Sequence, residues 1–137
     1  MPERQVEEAQ RSGDRSMGQA QNELKSIISL LNDNPWAKEI LDGWPRTINF
    51  ELEGEEAPFH IIVEEGRIRV GEGTAGKEPD IIVRGDSGEV ARVVRRERDI
   101  THPMAEGKLW VTKGKLSQLI IFDRILATAK RRRRAKL

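Results

Sequence analysis

The apolar positions change period several times along the chain, and each change marks an element. Leu24, Ile27, Ile28 and Leu31 fall at i, i+3, i+4 and i+7, one face of a helix that should stop near Asn32. A second, short helix is announced by its ends. Asn34 is placed to cap it, Pro35 suits the first helical position, and Gly43 follows the last turn, leaving Trp36, Ile40 and Leu41 as its apolar side. From Thr47 the period falls to two: Ile48, Phe50 and Leu52 alternate with Thr47, Asn49 and Glu51, which predicts a strand with one buried face, ended by Gly54. Residues 59–64 and 67–70 predict two more strands joined by a tight turn at Glu65-Gly66, where glycine supplies a positive φ. Residues 71–78 read as a loop. Pro79 then opens a strand over residues 80–84, because a missing N–H is tolerated at a strand's first position.

In the second half, Asp86 or Ser87 can cap a helix whose apolar side is Val90, Val93 and Val94, with Glu89 placed for a capping box. Valines are indifferent helix formers, so packing must hold this helix. Residues 95–98 are charged, and residues 99–106, with Pro103, read as a helical turn and connector; residues 108–112 predict a fifth strand. The closing helix spans about residues 115–132. Its apolar side chains Leu116, Leu119, Ile120, Ile121, Phe122, Ile125 and Leu126 spread over far more than the roughly one-third of the circumference that seals a single core face. Either this helix is buried on two sides, or its surplus needs a partner: a bound lipid, a second subunit or a membrane surface.

At 137 residues, with apolar side chains at 36%, the chain supports one core and not two. Residues 1–20 carry almost no apolar mass and are expected to be a flexible tail, followed by one domain over residues 21–129 and a basic tail over residues 130–137. Twenty-four basic against twenty-three acidic side chains give +1, which argues against nucleic acid as the partner of the whole surface. Lys130, Arg131, Arg132, Arg133 and Arg134 concentrate positive charge at one end. Such a run suits a helix C-terminus, a solvated end, non-specific phosphate contact, or an anionic membrane at about 1 kcal/mol per cation. Without cysteine there is neither a disulfide framework nor thiolate chemistry. No run approaches the roughly eighteen apolar residues of a membrane span. Residues 1–11 are too polar for a secretory signal, so a cytoplasmic location is expected. The alternative is the peroxisomal matrix of a eukaryote, since Ala135-Lys136-Leu137 is close to the Ser-Lys-Leu address.

Catalytic chemistry finds little footing. His60 and His102 are the only imidazoles, and neither HxH nor HExxH spacing occurs, so no catalytic residue, metal site or cofactor is assigned and no enzyme is expected. Gly71, Gly73 and Gly76 match Gly-x-Gly-x-x-Gly, yet they precede Pro79 and a strand, whereas a nucleotide-binding turn must follow a strand and open a helix. Trp36 and Trp44 bracket the short helix as core or rim residues. Trp110, between Leu109 and Val111, would mark an interface if it faced outward.

Several segments, in order, carry a resemblance. They are Trp44 with Thr47 to Phe50, residues 59–66 with their turn, Pro79-Asp80-Ile81-Ile82-Val83, Met104-Ala105-Glu106-Gly107-Lys108-Leu109, and the helix from Leu116 through Phe122. Their order and spacing over residues 36–126 resemble the sterol-carrier-protein family. The resemblance implies an α+β (mixed α/β) fold: a five-stranded mixed sheet covered on one face by helices, with an apolar tunnel between the layers for sterols, fatty acyl chains or similar lipids. It also implies non-catalytic binding or transfer of such a ligand. The residues expected to line the cavity are Phe50, Phe59, Ile61, Ile68, Val90, Val94, Met104, Leu109, Leu119, Ile120 and Phe122. The alternative is a protein-interaction or homodimerisation module that uses the C-terminal helix, and the third reading is anion contact through the basic run. Arg95-Arg96 stand where the family often has glycine, Met104-Ala105 replace a frequent aromatic pair, and Lys113-Gly114 hold one residue more than the common pattern. A reshaped cavity is therefore expected.

Overall fold

The computed structural model describes residues 19–136, and the side chains of residues 19–129. Helix α1 (Gln19–Asn32) and helix α2 (Pro35–Asp42) lead into strands β1 (Thr47–Glu53), β2 (Phe59–Glu64), β3 (Arg67–Glu72) and β4 (Ile81–Asp86). Then come α3 (Ser87–Val94), α4 (Thr101–Ala105), β5 (Leu109–Lys113) and the closing helix α5 (Leu116–Lys136). The expected five-stranded mixed sheet is present, in the order β3-β2-β1-β4-β5, with β1 and β4 parallel and the other pairs antiparallel.

Local chemistry explains the boundaries. Asn34 caps α2 with its side-chain oxygen on the amides of Trp36 and Ala37, and Asp86 caps α3 through the Glu89 amide. The reciprocal half of a capping box is missing, because the Glu89 carboxylate turns instead to Arg98. At the β2–β3 turn both Glu65 (φ 53°) and Gly66 (φ 71°) are left-handed, as a two-residue hairpin of this twist requires. Gly85 has a different reason to be glycine: a Cβ there would lie 2.1 Å from the carbonyl of Lys108, the residue that leads into β5. Gln19 and Ala20, assigned to the tail from the sequence, belong to α1, where Ala20 is fully buried against Ser87; residues 1–18 lie outside the described residues. Strand β3 runs two residues beyond the expected end, and β5 covers residues 109–113, its register against β4 shifting between Ile82 and Val83.

The two faces of the sheet differ. Ile48, Phe50, Phe59, Ile61, Ile68, Ile81, Val83 and Leu109 point toward the helices and are buried in one cluster with Leu24, Leu31, Leu41, Val90, Val93 and Ile100. On the opposite face the loop after β3 folds back over the middle of the sheet. It is held by the Ala75 amide on Asn49 Oδ1 at 3.2 Å and by His60 Nδ1, 2.8 Å from the Gly73 carbonyl. One sheet edge is also closed: Asn32 accepts from the Ile68 amide at 2.8 Å and donates to the Ile68 carbonyl at 3.0 Å, imitating a neighbouring strand.

Candidate functional site

The eleven residues expected to line an apolar tunnel are packed in or against the core between sheet and helices, and of them only Val94 lines either of the two hollows described below. Phe50 and Phe59 stack with ring centroids 4.9 Å apart and planes 9° from parallel, and Phe122 of α5 meets Phe50 at 6.1 Å with a 56° tilt. Ile61, Ile68, Val90, Val94, Leu109 and Leu119 are buried around this stack, while Met104 and Ile120 are half-buried against it. The whole set forms one continuous apolar body rather than separate patches.

Helix α5 forms the outer wall. Leu119, Phe122, Ile125 and Leu126 face inward and are buried, whereas Ile120 and Ile121 are only partly covered and Leu116 is 44% exposed. The surplus apolar surface expected from the sequence is thus concentrated at the start and on the flank of this helix. Two hollows adjoin the wall. One, of 370 Å³, is lined by Glu23, Ser26, Ile27, Val94, Arg95, Arg96 and Ala129; the other, of 260 Å³, by Ile40, Arg124, Ala127 and Thr128. Trp110 is 46% exposed on the far face of the sheet, away from this wall.

The polar frame around the core was not legible in advance. The three arginines of the segment after α3 diverge: Arg95 reaches Glu23 of α1 at 3.1 Å, Arg96 reaches Asp123 of α5 at 2.8 Å, and Arg98 reaches Glu89 of α3 at 3.0 Å. Arg98 also bonds Glu106 at 2.8 Å, and its guanidinium holds that carboxyl below the usual carboxylate range. Arg96 adopts φ 64°, a left-handed conformation that costs an ordinary L-residue about 1–2 kcal/mol. Its amide bonds Val93 and the following Glu97 amide bonds Arg92, the pattern that ends a helix on a residue of this conformation, most often glycine. The available signal was Asp123 itself, an acid inside the apolar run from Leu119 to Leu126.

At the far end of the core, the Glu55 carboxylate accepts from the Ser87 hydroxyl at 2.5 Å beside the start of α1. Burial pushes this carboxyl above its ordinary value, against the pull of Ser87 and of the Gln21 and Ala20 amides. His102 lies 3.1 Å from Asp99 on the surface, and no group of three or more metal-ligating side chains occurs among the described residues. The side chains of Lys130 to Arg134 lie outside the described residues, so the expected anion contact does too.

Sheet order, one helical layer and a single apolar body beneath a closing helix define a class: a small α+β domain built around an apolar interior. Within it, the chain belongs to the SCP-2 sterol transfer family, whose family model matches residues 24–117. Among solved structures it is similar to sterol carrier protein domain 2 of Helicoverpa armigera, at 14% identity and a TM-score of 0.65, over 81% of this chain and 87% of that one. It is also similar to Sterol Carrier Protein-2 of Aedes aegypti in complex with palmitate, at 10% identity and a TM-score of 0.55, over 80% and 96% of the two chains. A third likeness, to the sec-alkylsulfatase Pisa1 of a Pseudomonas species, has 16% identity and a TM-score of 0.57; it spans 64% of this chain but only 14% of the enzyme. No curated protein sequence matches the chain significantly.

Proposed function

We propose that this protein binds and transfers an apolar ligand, a lipid or fatty acyl chain, without catalysing a reaction on it. The observation that carries the reading is the apolar body of Phe50, Phe59, Ile61, Ile68, Val90, Val94, Met104, Leu109, Leu119, Ile120 and Phe122. It is walled by one helix whose apolar surface exceeds what the core covers. A guest chain would lodge among these side chains by displacing α5 outward, its head group remaining near solvent. Membership of a sterol transfer family supports the reading, as does a similarly folded protein whose structure holds palmitate. Each further Leu, Ile or Phe side chain that a guest covers contributes about 1.5–3 kcal/mol, so after ordering costs a moderate affinity is expected. Met104, a flexible thioether at the margin of the core, suits guests of varied shape.

Lipid extraction of freshly purified protein followed by mass spectrometry should recover a bound amphiphile, and a fluorescent fatty acid should be displaced by unlabelled lipid. Finding neither retained lipid nor uptake of the probe would overturn the reading. A second reading, a homodimer joined through α5, is favoured by the exposure of Leu116. It predicts a lipid-independent dimer in sedimentation that Leu116→Asp dissolves.

A further inference from the structure

Helix α5 is anchored unevenly. On the side facing α2 and the chain that follows it, Trp44 Nε1 and Arg46 Nε donate to Gln118 Oε1 at 2.8 and 3.1 Å, and Asn34 Nδ2 donates to the Thr128 carbonyl at 2.8 Å. These bonds sit near both ends of the apolar stretch. Toward α3, the hydrogen bonds seen among the described residues converge on a single carboxylate: Asp123 Oδ1 accepts from Arg96 Nη1 at 2.8 Å and from the Ile100 amide at 3.1 Å. Both side chains of this ion pair are largely buried, with exposures of 17% and 14%. The 370 Å³ groove borders this seam, bounded by Glu23, Ser26 and Ile27 of α1, by Val94, Arg95 and Arg96, and by Ala129 of α5, and its apolar lining of Ile27, Val94 and Ala129 is the outer skin of the core.

Rotation of α5 about the line through Gln118 and Thr128 would therefore leave its anchors toward α2 in place and, among the hydrogen bonds and ion pairs of the described residues, break those of Asp123. Such a motion widens the groove and uncovers Leu119, Phe122 and Ile125 opposite Phe50. Arg96 occupies a backbone conformation that glycine would hold without strain, and its guanidinium bond to Asp123 is the return for that strain. We propose that the seam between α5 and the end of α3 is the route by which a single acyl chain reaches the core, and that Arg96 is the positioning residue that bolts it shut through Asp123. The proposal rests on the carrier reading above and adds to it the point of entry and the contact that governs the rate.

The test is stopped-flow uptake and release of cis-parinaric acid by the wild-type protein and by R96G, D123N, R96K and E51Q. R96G relieves the backbone strain while removing the bolt, and D123N keeps an oxygen for the Ile100 amide, so both variants should fold. E51Q removes a distant ion pair on the outer face of the sheet and serves as the control. R96G and D123N should each raise association and dissociation rates about five-fold, with Kd changed less than about two-fold, as expected when a shut state loses a bond absent from the open one. Amide exchange should quicken over residues 119–125 in the same variants. R96K should return the rates toward wild type, and E51Q should leave them alone. Unchanged rates in R96G and D123N, or weaker binding with no faster association, would overturn the entry route while leaving the carrier reading standing. A wild-type protein that takes up no probe would remove the carrier reading and the route with it.

Discussion

The sheet presents two faces to two different kinds of cover. Toward the helices, the side chains of Ile48, Phe50, Phe59, Ile61, Ile68, Ile81 and Val83 are sealed by apolar contact, which is non-directional and tolerates rearrangement of the covering layer. On the other face, Asn49 and His60 hold a loop by hydrogen bonds, and Glu51 pairs with Arg84 at 2.7 Å across β1 and β4. Those contacts work in one geometry only. The difference places stability and any adaptable binding on the inner face, and fixed loop position on the outer one.

Four measurements sharpen or break that contrast, and the largest effect belongs to the inner face. Phe50→Ala deletes the ring shared by Phe59 and Phe122 and should cost about 3–5 kcal/mol in urea unfolding; a loss below about 1 kcal/mol would show that the helical layer does not press on the sheet. Asn49→Ala, on the outer face, should cost about 1–2 kcal/mol and speed amide exchange at Ala75. Glu55, beside the starts of α1 and α3, gives a smaller effect that depends on pH. Its carboxyl is raised by burial in the folded protein, so the stability it contributes is full below the unfolded value and is lost as pH rises through the raised one. Glu55→Gln should flatten that decline in thermal melts between mildly acidic and neutral pH. An equally steep slope in the variant would assign the decline to another group. Smallest of all, Arg84→Gln removes an exposed ion pair and should change stability by no more than about 0.5 kcal/mol.

The sequence made the inner face legible because burial leaves a period. Alternation at Ile48, Phe50 and Leu52, the Glu65-Gly66 turn, and the caps at Asn34 and Asp86 each constrain the chain over a few residues, and all are present, although β1 does not have the single buried face expected: Thr47 and Asn49 are buried on the other side. Elements were missed by a residue or two where a distant partner decides. Strand β3 continues to Glu72 because β2 pairs it as far as Phe59, and α1 takes in Gln19 and Ala20, where the Ala20 amide finds Ser87, sixty-seven positions away. The eleven residues named from the family resemblance are packed in or against the core. The Arg96–Asp123 pair was not legible, because charge at positions 95–98 names no partner until α5 is laid beside it.

Asn32 carries a further consequence. Its amide occupies both backbone groups of Ile68, so β3 offers no vacant rung there for a strand from another molecule. At the opposite margin, Lys108 precedes the short β5 and Lys113 ends it, each held in ion pairs with glutamates, so that both ends of this edge strand carry charged side chains. Both margins of the sheet are thereby guarded against strand addition from another copy of the chain.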